Sequence, residues 1–299
     1  MNISEKTLQD LEFSTVLQHI STFCISGLGK ERIFETKPIG SRKQLFKELH
    51  LVDEYLASFE SENRIPNHGF DNITESVKRL AIENSFIETD AFLKIATTSL
   101  TVNELIKFFK KFQIQFPTFF TLSQQIEFTT YINDEIKKII DISGEVKNSA
   151  SPTLKQIRRD INNIRGKIGA SFSSALSKAS AAGYLDDIKE TVIDNQRVLA
   201  VSAMYRRKVA CSLLGSSKSG SIVYIAPQAT LAYSREYQNL VYEEKQEVVK
   251  ILRALGDTIR PLVSLLREYI EFLIHIDAVG AKAKYALEMN AVLPKITKK

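Results

Sequence analysis

Between Leu154 and Ala179 the apolar residues recur at steps of three and four, and this one stripe limits the fold more than any other feature of the chain. Leu154, Ile157, Ile161, Ile164, Ile168, Phe172, Ala175 and Ala179 share a narrow face. Such a face suits a helix that packs along a single partner helix, as in a coiled coil. Ser151 followed by Pro152 supplies an N-cap with proline at the first helical position, so the helix starts there. About 28 residues at 1.5 Å each make a rod of roughly 40 Å. Gly166 and Gly169 weaken it by about 1 kcal/mol each relative to alanine, and predict a bend or a close helix contact. The complementary stripe lies downstream, in Tyr237, Val241, Val248, Ile251, Leu255, Leu262, Leu266 and Leu273, with a kink or break expected near Gly256 and Pro261.

Between the two stripes, from Ile188 to Ile225, the sequence turns β-branched and alternating. Thr191–Val201 reads as two strands about a turn at Asp194-Asn195. A second hairpin joins Val209–Leu214 to Ser221–Ile225 across Gly215-Ser216-Ser217-Lys218-Ser219-Gly220, a flexible loop composition. Two long helices flanking a small sheet predict an antiparallel helical arm with the sheet at its far end. Upstream, helical patterns cover about 8–25, 41–60, 73–82, 89–113 and 118–140, separated at Lys37-Pro38-Ile39-Gly40, Ile65–Gly69 and Phe116-Pro117. Lys107, Lys110 and Lys111 alternate with Phe108, Phe109 and Phe112, which reads as core-facing rings with solvated amines. The expected fold is mainly α: a helical core over 1–150, an outgoing helix over 151–187, an antiparallel β tip over 188–227, and a returning helix with a closing core helix over 228–299.

Charge is focused rather than spread. The 299 residues carry a formal net charge of only +5. Within 153–178, however, Lys155, Arg158, Arg159, Arg165, Lys167 and Lys178 face a single acid, Asp160. Between 197 and 220, Arg197, Arg206, Arg207, Lys208 and Lys218 meet no Asp or Glu. A basic arm and tip suit a phosphate backbone, where displaced counterions give salt-sensitive binding that ignores sequence.

Several function classes find no support. Cys24 and Cys211 lack metal-type or paired spacing. His19, His50, His68 and His275 are dispersed and fit no triad or metal motif. Gly215–Gly220 lacks the spacing of a phosphate loop, and Ser26-Gly27-Leu28-Gly29-Lys30, preceded by a helical pattern, reads as a turn between helices. The amino terminus, Met1–Lys6, has no apolar signal core, and no run of about 18 apolar residues predicts a membrane span. The expectation is a cytoplasmic binding protein without a catalytic site, metal or cofactor in this chain.

Specific motifs narrow this further. Gly144-Glu145-Val146-Lys147-Asn148-Ser149-Ala150-Ser151-Pro152, running into Leu154-Lys155-Gln156-Ile157-Arg158-Arg159, resembles the entry to the lever helix in the type-two bacterial MutS paralogue family. Lys6–Phe13, Ser26–Lys30 and Lys37-Pro38 resemble its start. Arg197–Val201 and Ser217–Pro227 resemble its clamp strands, Glu236, Glu244 and Glu247 its acidic returning helix, and Asp277 with Ala281-Lys282-Ala283 the close of its region. The chain departs from the family at Leu214-Gly215, Ala226 and Ser234-Arg235. The resemblance implies a lever and clamp that grip branched or mismatched DNA in repair or recombination control, or alternatively dock on a ribosome in translation quality control. Where this chain ends, at Ile296-Thr297-Lys298-Lys299, the family continues into an ATPase domain and often an Smr nuclease domain, so the resemblance implies either that this chain is part of a longer protein or that those parts are missing. ATP, magnesium and homodimerisation are implied for that ATPase domain alone. The candidate nucleic-acid contacts are Arg158, Arg159, Arg165 and Lys167 on the arm, and Arg197, Arg206, Arg207, Lys208 and Lys218 at the tip.

Overall fold

A computed structural model describes residues 4–194 and 196–296 of the protein. Parts of three expectations therefore lie outside the described residues: the extreme amino terminus at Met1–Ile3, Asn195 of the expected turn, and the last three residues, Thr297–Lys299. The fold is mainly helical with one small antiparallel sheet. It divides into two compact units, one formed by 1–147 with 252–299 and the other by 148–251.

The first unit is helical and has α11, Val263–Glu288, at its centre. This helix buries residues around most of its circumference, including Leu266, Tyr269, Leu273, Ile276, Ala281 and Ala283, as expected of a helix enclosed by others. It packs on α2 (Phe13–Ser21), α3 (Gly27–Phe34), α4 (Arg42–Ser58), α5 (Thr74–Leu80) and α6 (Thr89–Lys111). Phe109, fully buried, stacks on Phe119 at 4.8 Å while Lys107, Lys110 and Lys111 stay exposed. The alternating Lys and Phe run is thus a helix with a packed face and a wet one.

Several sequence expectations are corrected here. The helix expected over 8–25 is two, α1 (Glu5–Asp10) and α2, because Glu12 adopts a left-handed φ of 50° that interrupts the ladder. The segment 118–140 also splits, into α7 (Pro117–Ser123) and α8 (Tyr131–Ile139). The intervening chain is held by tertiary hydrogen bonds, Asn103 Nδ2 donating to the Thr129 carbonyl at 2.8 Å and the Tyr269 hydroxyl to the Glu127 carbonyl at 2.6 Å. Ser26–Lys30 is not a turn but the start of α3, capped by Ser26 Oγ, which accepts from Gly29 N at 2.9 Å.

That start is fixed by a distant carboxylate. Asp277, 1% exposed, accepts from Ile25 N at 2.8 Å, Ser26 N at 2.9 Å and Ser26 Oγ at 2.6 Å. A Cβ on Gly29 would lie 2.1 Å from Asp277 Oδ2, so only glycine fits there. One acid thereby satisfies amides that the end of a helix leaves without partners, and the helix N-terminus in turn favours the negative charge.

The second unit is built on α9, Pro152–Ala181, and the portion of α10 (Gln228–Ile259) up to Ile251. Ser151 caps α9 as the sequence predicts, its Oγ accepting from Leu154 N at 2.9 Å. The buried stripe is Leu154, Ile157, Ile161, Ile164, Phe172 and Ala179, with Ile168 and Ala175 half-buried. Gly166 and Gly169 make no close contact: a Cβ at either would meet nothing within 4 Å. Nor does α10 break at Gly256. It continues to Ile259, and the interruption is a 3-10 turn at Arg260–Leu262 around Pro261, whose ring and missing N–H disfavour the helical ladder.

Four strands among the described residues form the sheet: β1 (Leu185–Ile193), β2 (Gln196–Ser202), β3 (Cys211–Ser216) and β4 (Ile222–Pro227), in the order β1-β2-β4-β3 and all antiparallel. The first hairpin pairs Ile193 with Gln196 across a turn in which Asp194 has a positive φ of 48°. The strand starts at Leu185, three residues earlier than the β-rich composition suggests, behind Gly183 in a left-handed conformation (φ 67°). Leu213 pairs with Ile225 and Gly215 with Tyr224, so Leu214 is an extra residue in the ladder, a β-bulge. One face of the sheet, Leu199, Val201, Val223 and Ile225, packs on Phe172 and Ala179 of α9. Among the described residues, no helix is long and apolar enough to cross a membrane.

Candidate nucleic-acid interface

The hydrogen bonds between α9 and α10 set their direction. Ser151 Oγ donates to Glu247 (2.7 Å), Arg158 Nε to Glu244 (2.6 Å) and Arg165 Nη2 to the Tyr237 hydroxyl (3.0 Å), and Ser171 Oγ lies 3.3 Å from Thr230 Oγ1. As one partner advances from 151 to 171 the other retreats from 247 to 230, which only antiparallel helices allow. The chain enters this unit at Asn148 and leaves it at Ile251, both at the Ser151 end, while the sheet is inserted at the other end, between Ala181 and Gln228. Thirty residues of α9 span about 45 Å at 1.5 Å each.

These bonds also define what three of the candidate arginines do. Arg158, half-buried, holds Glu244 and donates through Nη1 to Asn148 Oδ1 at 2.6 Å. Arg165 lies over the Tyr237 ring, 5.3 Å from its centroid. Arg197 donates twice to Glu190 (2.7 and 2.9 Å) and covers the Phe172 ring at 4.3 Å. Each serves the fold: the first two tie the helices together, and the third ties the β1–β2 hairpin to α9. A guanidinium that donates to a carboxylate or hydroxyl of its own chain has fewer donors left for a phosphate.

The remaining candidates are differently placed. Arg159 and Lys167 are exposed on α9, away from the buried stripe. Arg206, Arg207 and Lys208 are exposed on the 3-10 turn Ala203–Lys208, and Lys218 is exposed in the β3–β4 loop. Among the described residues none of these six forms a salt bridge. The sheet sorts its charges by strand. Asp186, Asp187, Glu190 and Asp194 line β1 and its turn with Lys189 the one cation, and no acid occurs from 195 to 235. The acids thus lie on β1, at one edge of the sheet, while the exposed cations lie in the connections that follow, on the 3-10 turn between β2 and β3 and in the β3–β4 loop.

Aromatic and basic groups meet at the 3-10 turn. The rings of Tyr184 and Tyr205 pack at 4.9 Å and 30°, and Lys208 Nζ lies 5.9 and 5.7 Å from their centroids. Sequence reasoning left Tyr184, Tyr205 and Lys178 out of the site. The available signal was weak, two tyrosines 21 residues apart in sequence that β2 and the 3-10 turn bring together. Among the described residues, no group of three or more His, Cys, Asp or Glu is arranged to hold a metal.

No protein-family model matches the chain. It is 28% identical over 298 residues to Endonuclease MutS2 of Lactobacillus helveticus, covering 99% of this chain and 38% of that protein. It is 27% identical over 295 residues to Endonuclease MutS2 of Bacillus velezensis, and 28% identical over 295 residues to Putative endonuclease MutS2 of Bacillus subtilis, covering 98% of this chain and 38% of the relative in both cases. The chain thus spans about two fifths of the length of these curated relatives, and the similarity supports a MutS-like family relationship.

Proposed function

We propose that this chain is the nucleic-acid-gripping part of a MutS-like protein that acts in DNA repair or recombination control. In this reading the α9–α10 pair is a lever and the four-stranded sheet is its clamp. The observation that carries it is the sorting of charge in the sheet's unit, where Arg206, Arg207, Lys208 and Lys218 stand exposed in the connections after β2 with no carboxylate bound to them among the described residues. Exposed cations bound to no carboxylate keep their donors for a phosphate backbone. Arg159 and Lys167 extend the surface along α9, while Arg158 and Arg165 hold the two helices together and Arg197 holds the β1–β2 hairpin to α9. The reading assigns binding, and no bond-breaking step, to this chain. ATP, magnesium and homodimerisation are assigned to a separate ATPase domain of the parent protein.

Electrophoretic shifts with duplex and branched DNA at two salt concentrations test the proposal. Replacing Arg206, Arg207 and Lys208 together with alanine is expected to weaken binding at least about tenfold, and to flatten the dependence of log affinity on log salt by about one for each phosphate that is no longer neutralised. Stability should change by no more than about 0.5 kcal/mol, since exposed side chains are being trimmed. Unaltered binding by this variant, or retention on ribosomes with no shift of any DNA, would sink the assignment.

A further inference from the structure

We propose that the cavity between the last turns of α9, the 3-10 turn Ala203–Lys208 and the first turn of α10 is a subsite for one unpaired nucleotide of a DNA strand. This rests on the nucleic-acid reading above and adds which form of the strand is recognised. The cavity has a volume of about 380 Å³, within the range of sites that take small molecules. Lys178 comes to it from α9 and Lys208 from the 3-10 turn, Tyr184 forms part of its wall, and Ser174 and Gln228 add polar groups beside the apolar Pro227. No Asp or Glu lines it.

A nucleotide asks for two things of a site: a flat or apolar surface for the base and cations for the phosphate. Both are within this one cavity. Tyr184 is held in place by its packing on Tyr205, and Lys208 lies close to both rings, so that a cation and a π surface stand side by side. A base stacked and paired inside a duplex cannot enter a walled site, whereas a base from a single strand, a bulge or a branch point can. A second cavity of about 510 Å³ near the β1–β2 turn is less suited. Its arginines, Arg165 and Arg197, already serve Tyr237 and Glu190, and Asp194 adds a negative charge to its lining.

Fluorescence anisotropy of the full 299-residue chain, with a labelled oligothymidylate and a blunt duplex of equal length as probes, tests this. Tyr184→Leu removes the ring while keeping an apolar side chain, and Ser174→Trp fills the cavity from an exposed helical position. Each is expected to weaken binding of the single strand by about tenfold and to change duplex binding less than about twofold. Tyr184→Phe is expected to bind like the unsubstituted chain. Equal losses for both probes, or an unchanged single-strand affinity in Ser174→Trp, overturn the subsite and leave the backbone grip standing. Failure of the unsubstituted chain to bind either probe overturns the grip and the subsite together.

Discussion

In the unit built around α11, charged side chains are drawn into the interior and used there, whereas in the unit that carries the sheet most of them stay outside. Asp277 takes three donors from residues 25 and 26, and Glu54 accepts from Thr118 N and Phe119 N at the start of α7, which has no cap of its own. Glu48 faces His275 Nε2 at 3.1 Å. Burial works against the Glu48 charge, but His275, Lys282 and Lys47 outweigh it and hold the carboxyl below its usual range. The second unit has a thinner interior, one helical stripe and one sheet face, and only part of its positive charge is committed to carboxylates. A thick core can accommodate buried charge when every donor and acceptor is matched. A two-helix arm with a small sheet has little interior to offer, so its cations remain available to a partner.

The largest test of this contrast is Phe172→Ala. Phe172, 1% exposed, is where α9 meets the sheet, and Arg197 is stacked on its ring. Truncation is expected to cost about 4 kcal/mol, concentrated in the second unit, so hydrogen exchange should accelerate across 185–227 and leave α11 protected. Uniform loss of protection in both units would show that the thin core does not stand by itself. Next comes Asp277→Ala, which leaves Ile25 N and Ser26 N without a partner and should destabilise by about 3 kcal/mol. Its exchange signature should be the reverse, faster at 25–34 and unaltered in the sheet.

The smallest expected effect is that of pH on His68. The ring is 2% exposed, and burial pulls its pKa below the usual 6.5, against the opposing influence of the Pro66 carbonyl and the Asp277 charge. The folded state therefore keeps His68 neutral, while the unfolded chain takes up a proton first as pH falls through 6.5. The stability His68 contributes is complete above that pH and declines below it, towards its folded value. Thermal unfolding between about pH 7.5 and 5.5 should show a falling midpoint that becomes flatter in His68→Gln. That range lies above the one in which Glu48 would begin to take up protons, since its folded pKa lies below 4.5. An identical slope in the variant would assign the pH response to another group.

Much of the second unit was legible in the residues themselves. A 3.6-residue repeat has one helical solution, a serine before proline caps it, and alternating β-branched residues about turn-forming ones make hairpins. Thus the start of α9, both hairpins and the positive bias of the tip follow from local chemistry, whereas the helix expected to reach 187 ends at Ala181 and the strand begins at Leu185. Local chemistry misled where long-range interactions overrode it. Ser26–Lys30 has the composition of a turn but starts a helix, because a carboxylate 251 positions away holds its first amides.

The candidate phosphate-binding residues divide on the same principle. Their charge is written in the sequence, but whether a charge is committed depends on which side chains the fold brings beside it. Glu244, Glu190 and Tyr237 claim three of the nine arginines and lysines, and packing alone sets Tyr184 against Tyr205 and Lys208. The sequence by itself determined the paired helices of the second unit, its hairpins and the sign of its charge. Only tertiary structure decided which cations are engaged within the chain, because a salt bridge or a ring contact is a relation between residues that periodicity cannot encode.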